Sequence, residues 1–229
     1  MNNTENAVTL TKFDKFKNVV KMLFNDLFKT PFYLLTHPLK GFEEFKTEGL
    51  RKKYVAFFYL FMMALTQVIA YNGRGFLVNT SNADNFNAFR IILLVIVPVV
   101  LVTIGNWAFT TLFDGKGNME EIFSVITYSF APFVWIALPN ILFSNYIIAE
   151  EVGFYFAFNT IGIVLTGYMI FFGLLVIHEY GFLKSFVTLV FTIVAIGIII
   201  FIVFLVLTIF QQVYSFLGSI IREFIMRYF

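Results

Sequence analysis

No cysteine occurs among the 229 residues, which excludes disulfides, thiol nucleophiles and Cys-ligated zinc. Charge is scarce as well. Asp, Glu, Lys and Arg make up 13% of the chain and hydrophobic residues 59%, whereas a soluble domain is about a quarter charged and about half apolar. That imbalance, with a mean hydropathy of +0.84, excludes a water-soluble globule and puts the chain in a membrane. There are two histidines, His37 and His178. Alone they cannot complete a zinc site, and their separation gives no ligand spacing. No charged side chain falls in the middle of a long apolar run, so a proton relay or ion-coupled pump lacks its machinery. No internal repeat pairs one half of the chain with the other, as inverted-repeat transporters require. The N-terminus lacks a basic stretch leading directly into an apolar run, so a secretory signal peptide is not expected.

What the chain does have is five long apolar segments, roughly Tyr54–Tyr71, Ala88–Phe113, Ile122–Phe143, Val152–Ile177 and Ser185–Phe210. A helical span needs about 20 such residues. Backbone groups find no water in lipid, so each segment is expected to be an α-helix. The expected fold is all-α: a polytopic membrane protein with a five-helix transmembrane bundle and amphipathic helices at both termini. The expected organisation is a basic cytoplasmic arm over 1–53, a membrane domain over 54–210 and an amphipathic C-terminal helix over 211–229. Short connections predict antiparallel neighbours.

Orientation follows from the cations. Ten of the 16 Lys and Arg lie at or before Lys53. With the N-terminus inside, the inner side holds twelve, including Lys116 and Lys184, and the outer side four: Arg74, Arg90, Arg222 and Arg227. The reading is a multi-pass cell-membrane protein, N-terminus cytoplasmic and C-terminus outside.

Both flanks carry apolar stripes at helical spacing. Phe16, Val19, Val20, Leu23, Phe24, Leu27 and Phe28 form one, with Lys17, Lys21 and Asn25 on other faces. It suits the headgroup plane, where each lysine adds about 1 kcal/mol toward an anionic leaflet. It suits equally a helix resting on the protein's own face. Val213, Phe216, Leu217, Ile220, Ile221 and Phe224 form the other, read as a cap on the outer end of the bundle.

Between the second and third spans lies "LFDGKGNMEEIFSVITYSFAP" (Leu112–Pro132). A phosphate-binding Walker loop needs a glycine five residues before its Gly-Lys pair and Ser or Thr after it. Thr110 and Gly117 stand there, so nucleotide binding is not expected. Gly115 and Gly117 instead suit a sharp turn, kept in water by Asp114, Lys116, Glu120 and Glu121. Asn118, with Glu121 three residues on, has the form of a capping box. Glu150-Glu151 has the look of a membrane-protease carboxylate pair, but Tyr155 stands where an arginine is expected; helix-dipole compensation is the simpler reading. His37, before Pro38, suits a turn, and His178 a helix end that favours a cation. Within the spans, Asn106 shares a face with Thr103, Thr110 and Asp114. Pro132 and Pro139 mark one side of the third helix, ahead of Asn140, and Asn159 with Thr160 sit in the fourth. These groups suit interhelical hydrogen bonds, with Gly162, Gly167 and Gly173 allowing close approach. No catalytic, cofactor or metal residues are identified.

"THPLKGFEEFK" (Thr36–Lys46), "GNWAFTTLFDGKGNMEEIFSVITYSFAPF" (Gly105–Phe133) and "LPNILFSN" (Leu138–Asn145) together resemble the bacterial branch of the Yip1-domain membrane proteins, from about Thr36 through the fifth span. The resemblance implies a multi-span protein without established catalytic residues. Eukaryotic relatives act in the early secretory pathway with Rab GTPases, but the long acidic, aromatic arm of many of them is replaced here by a short basic helix. Bacterial members resemble accessory proteins encoded beside sugar transporters.

Two functions are carried forward. The first is a non-enzymatic membrane adaptor that contacts lipid and other membrane proteins, a sugar ABC transporter among them, through Asp114, Gly115, Lys116, Gly117, Glu120 and Glu121. The second is a small-molecule or lipid transporter with Asn106, Asn140 and Asn159 along a polar path. Nucleic acid is not an expected partner.

Overall fold

The computed structural model describes residues 12–228, with side chains from Lys17 onward apart from Ala83. Residues 1–11 of the arm, Phe229 and the side chain of Phe16 in the first stripe lie outside that description. The described residues are helical, without strands, and five stretches are long and apolar enough to cross a membrane.

The N-terminal segment is α1 (Lys12–Phe24), a π turn (Asn25–Lys29), α2 (Thr30–Thr36) and α3 (Pro38–Thr47). His37 makes the turn between α2 and α3, as expected, since Pro38 disfavours a helical residue before it. The spans are α4 (Lys53–Gly73), α5 (Ala88–Thr111), α6 (Met119–Tyr128) with α7 (Ala131–Phe143), α8 (Val152–His178) and α9 (Phe182–Tyr228).

Two expectations change. The third span is broken at Ser129–Phe130. Pro132 in the first turn of α7 has no N–H to donate back to Tyr128, and α6 closes on its own carbonyls instead. The second change is at the C-terminus. The stripe from Val213 to Phe224 caps nothing; it continues α9, one uninterrupted helix of 47 residues. Between Phe210 and Tyr228 there is no proline and a single glycine, Gly218, so nothing stops the helix.

The third span is the axis of the bundle. Of its most apolar window 72% is buried, against α4, α5 and α8. The first half of α9 packs chiefly on α5, not on its sequence neighbour α8.

The core sits at one end, and the arm helps to build it. Phe42 and Phe45 of α3 are fully buried, with Phe45 edge-on to Tyr128 at 4.9 Å. Each such ring contributes about 1.5–3 kcal/mol relative to exposure in water. Gly173 makes room for Phe42: a Cβ there would lie 3.0 Å from its ring and 2.4 Å from Val125. Gly162 likewise admits Phe133, whereas a Cβ on Gly167 would meet nothing within 4 Å among the described residues. The Tyr128 hydroxyl accepts from the Lys52 N–H at 2.9 Å and donates to the Lys52 carbonyl at 3.1 Å. Tyr59 donates to the Leu27 carbonyl. These bonds fasten the arm where it enters α4. Of the first stripe, Leu27 packs toward the core and Phe28 stacks on Trp135, while Val19, Val20, Leu23 and Phe24 are exposed.

Candidate functional site

The Gly-Lys-Gly loop is not a free hairpin. At the end of α5 the Gly115 N–H closes back on the Thr110 carbonyl at 2.9 Å, and Asp114 takes the left-handed conformation, φ 58°. Asp tolerates it better than most residues. Neither loop glycine needs a positive φ; the turn-based reason for them is replaced by a steric one. A Cβ on Gly115 would lie 2.7 Å from both Thr110 Cβ and the Tyr180 hydroxyl, and 2.8 Å from His178 Nδ1. On Gly117 it would lie 2.7 Å from His178 Cε1. The glycines allow the loop to lie directly on a histidine.

That histidine orders a buried polar chain. The Gly117 N–H donates to His178 Nδ1 at 3.2 Å. A backbone N–H can only donate, so Nδ1 accepts and the imidazole is the neutral Nε2–H tautomer. Nε2 then donates to Asn106 Oδ1 at 2.9 Å, and Asn106 Nδ2 donates to Thr192 Oγ1 at 3.0 Å. The Thr192 hydroxyl donates in turn to the Thr188 carbonyl at 2.8 Å. Asn106 is 0% and His178 1% exposed, so every member is satisfied where water is excluded, as burial demands. The expectation that His178 serves a helix end as a cation is thereby corrected: a second ring proton would face the Gly117 N–H.

The charges around this chain are engaged with one another. Glu179, left-handed at φ 56°, pairs with Lys116 at 2.5 Å and Lys46 at 2.8 Å. Lys46 also donates to the Ile177 carbonyl at 3.0 Å, closing the end of α8. Hydrogen bonds from Lys116 and then Lys46 hold the Glu179 carboxyl down to about 2 from an ordinary 4.5. Glu120 meets Lys53 at 3.0 Å, and Glu121 meets Arg51 at 3.3 Å. Asn118 and Glu121 form the expected capping box, at 2.9 and 3.0 Å. Lys116, Glu120 and Glu121 therefore clasp the arm, α6 and the α8–α9 corner together. Asp114 makes no ion pair among the described residues.

The three asparagines do not converge. Asn140 and Asn159 both donate to the Tyr155 carbonyl at 3.0 Å, while Asn106 belongs to the histidine chain. Glu151 accepts from the Ile148 N–H at 3.3 Å ahead of α8, in keeping with a helix-start role. Among the described residues no group of three His, Asp or Glu could hold a metal ion.

The Yip1 domain matches residues 32–221, well over half the chain. The chain belongs to the Yip1-domain family. The Yip1 domain here takes in Phe42 and Phe45, the loop, His178 and the distal part of α9. No curated protein and no solved structure matches the chain.

His178 could not be singled out from sequence. It stands 61 residues from Gly117, and no local pattern links them. The one available signal was two glycines flanking a lysine without any phosphate-loop context.

Proposed function

We propose that this Yip1-domain protein is a non-enzymatic adaptor of the cell membrane, N-terminus cytoplasmic and C-terminus outside, that binds helices of other membrane proteins. The carrying observation is the free length of α9. At 1.5 Å per residue its 47 residues span about 70 Å, whereas the hydrocarbon layer is about 30 Å thick. From Phe201 onward every described residue is exposed except the half-buried Gly218. Thr208, Gln211, Gln212, Ser215 and Ser219 group together along this free helix. Small hydroxyls and amides of this kind bind membrane helices by close packing and interhelical hydrogen bonds.

The loop residues Lys116, Glu120 and Glu121 lend the docking role less support, because they already hold the clasp; Asp114 remains available. The exposed face of α1 supports contact with membrane lipid. Family resemblance favours a transporter, a sugar ABC transporter included, as the partner class. The transporter reading, with a path along Asn106, Asn140 and Asn159, draws less support, since Asn106 is sealed by His178 and Thr192.

A photo-crosslinking side chain at Ser215 of the full chain, in native membranes, tests the adaptor. The expected product is a covalent complex with a different membrane protein, lost when Gln211→Leu and Gln212→Leu are combined. Adducts with lipid alone, or with a second copy alone, overturn it.

A further inference from the structure

At the end of the bundle opposite the clasp, α4 and α5 enclose a cleft of about 500 Å³. We propose that it binds an anionic phospholipid, with the headgroup phosphate on Arg74 and the acyl chains along α5.

The cleft is amphipathic in the right sense. Its floor is apolar, from Met63, Leu94, Val95, Val99 and Phe130, and its polar lining comes from Gln67, Tyr71, Arg74 and Ser81. Residues 67, 71 and 74 follow at helical spacing and so share one side of the α4 end. Arg74 carries the only charge among the lining residues, so the cleft is cationic. Its Nε is buried without a partner, and the guanidinium makes no hydrogen bond or ion pair among the described residues. A guanidinium nitrogen so buried without a partner is costly unless an anion joins it, and a guanidinium fork matches phosphate geometry.

The position of Arg74 is held from both sides. The Gly73 carbonyl accepts from Asn145 Nδ2 at 2.9 Å, and the Gly75 N–H donates to Ser144 Oγ at 2.8 Å. Gly75 has no room for a side chain, since a Cβ would lie 1.9 Å from the Ser144 carbonyl oxygen. Over the mouth, the Tyr71 hydroxyl donates to the Asn82 carbonyl at 2.8 Å and Asn79 Nδ2 donates to the Tyr71 carbonyl at 3.2 Å. The loop after α4 is thus folded beside the cleft. Ser81 in the polar lining supplies an acceptor for a headgroup hydroxyl. The Gln67 amide makes no hydrogen bond among the described residues and supplies a further donor. Phosphatidylglycerol has the matching groups: one phosphate, free hydroxyls and two chains.

Thermal unfolding of the detergent-purified full chain, titrated with phosphatidylglycerol, phosphatidylcholine or inorganic phosphate, tests this. Phosphatidylglycerol should raise Tm saturably and the other two should not. Arg74→Gln should weaken the response about ten-fold, the loss expected of one charge-assisted hydrogen bond. Arg90→Gln, an exposed arginine at the same end, should respond as the wild type does. Val95→Trp, which fills the cleft and leaves Arg74 in place, should also abolish the response, so the test survives if Arg74→Gln does not fold. An unchanged response in Val95→Trp, or in a folded Arg74→Gln, overturns the proposal. An equal response to phosphatidylcholine overturns it as well, and an equal response to phosphate assigns the site to the free ion.

Discussion

The third and fifth spans differ in the opposite direction from a soluble protein's helices. The fifth is the most apolar, with mean hydropathy 3.4 over its best window, and none of that window is buried. The third has hydropathy 1.7 and is 72% buried. In water the oiliest helix would be innermost. Lipid removes that drive, because a hydrocarbon tail is as apolar as leucine, so packing falls to small side chains and internal hydrogen bonds. The third span carries them: Ser124, Thr127, Ser129 and Ser144 are buried, each with its hydroxyl on a carbonyl of its own segment. Where α9 does join the bundle it uses the same residue types, with Ser185, Thr188 and Thr192 buried and Ile196 against Gly105.

The contrast can be broken most forcefully at the entry to the third span. His178→Ala leaves the Gly117 N–H and Asn106 Oδ1 without partners in a dry site. Each unsatisfied group costs about 1–3 kcal/mol, so thermal unfolding in detergent should fall steeply, with proteolysis appearing at the 112–118 loop. A native-like Tm would show that the buried chain does not hold the span.

A weaker and pH-dependent effect is expected from Glu179→Gln. A carboxyl lowered in the folded state gives stability that is present above its ordinary 4.5 and lost as pH falls through about 2. Wild type should therefore exceed the variant in Tm at neutral pH, and the gap should close between those two values. Glu179 is half exposed, so solvent screens the gap and added salt should narrow it. A gap independent of pH would assign the loss to packing.

The smallest effect belongs to the free helix. Ile202 is 52% exposed, and Ile202→Ala should shift stability by less than about 0.5 kcal/mol. A larger loss in the isolated protein would mean that this half of α9 is packed after all.

Much of the architecture was legible because its signals are local. Five spans follow from run length, and the capping box follows from Asn118 and Glu121 standing three apart. What escaped reading depends on distant contacts. Nothing near His178 announces the glycine loop that lies on it. Phe42 and Phe45 look like the apolar side of a surface helix, and only distant partners, Gly173 for Phe42 and Tyr128 for Phe45, show that they enter the core. The apolar run ends at Phe210, where hydropathy drops at Gln211 and Gln212, yet two glutamines lower hydropathy without breaking a helix. Gly115 and Gly117 stand out by position, but a sequence displays turn chemistry and hides the ring above it.

The long separations within the buried polar chain also set an order of assembly. Asn106 enters the bilayer with the second span, but His178 and Thr192 are synthesised 72 and 86 residues later. At about 5–20 residues per second, its amide waits several seconds in lipid without its native partners. During that interval the incomplete bundle holds an unpaired polar group that lipid cannot satisfy. The buried chain is therefore complete only when the fourth and fifth spans have supplied His178 and Thr192.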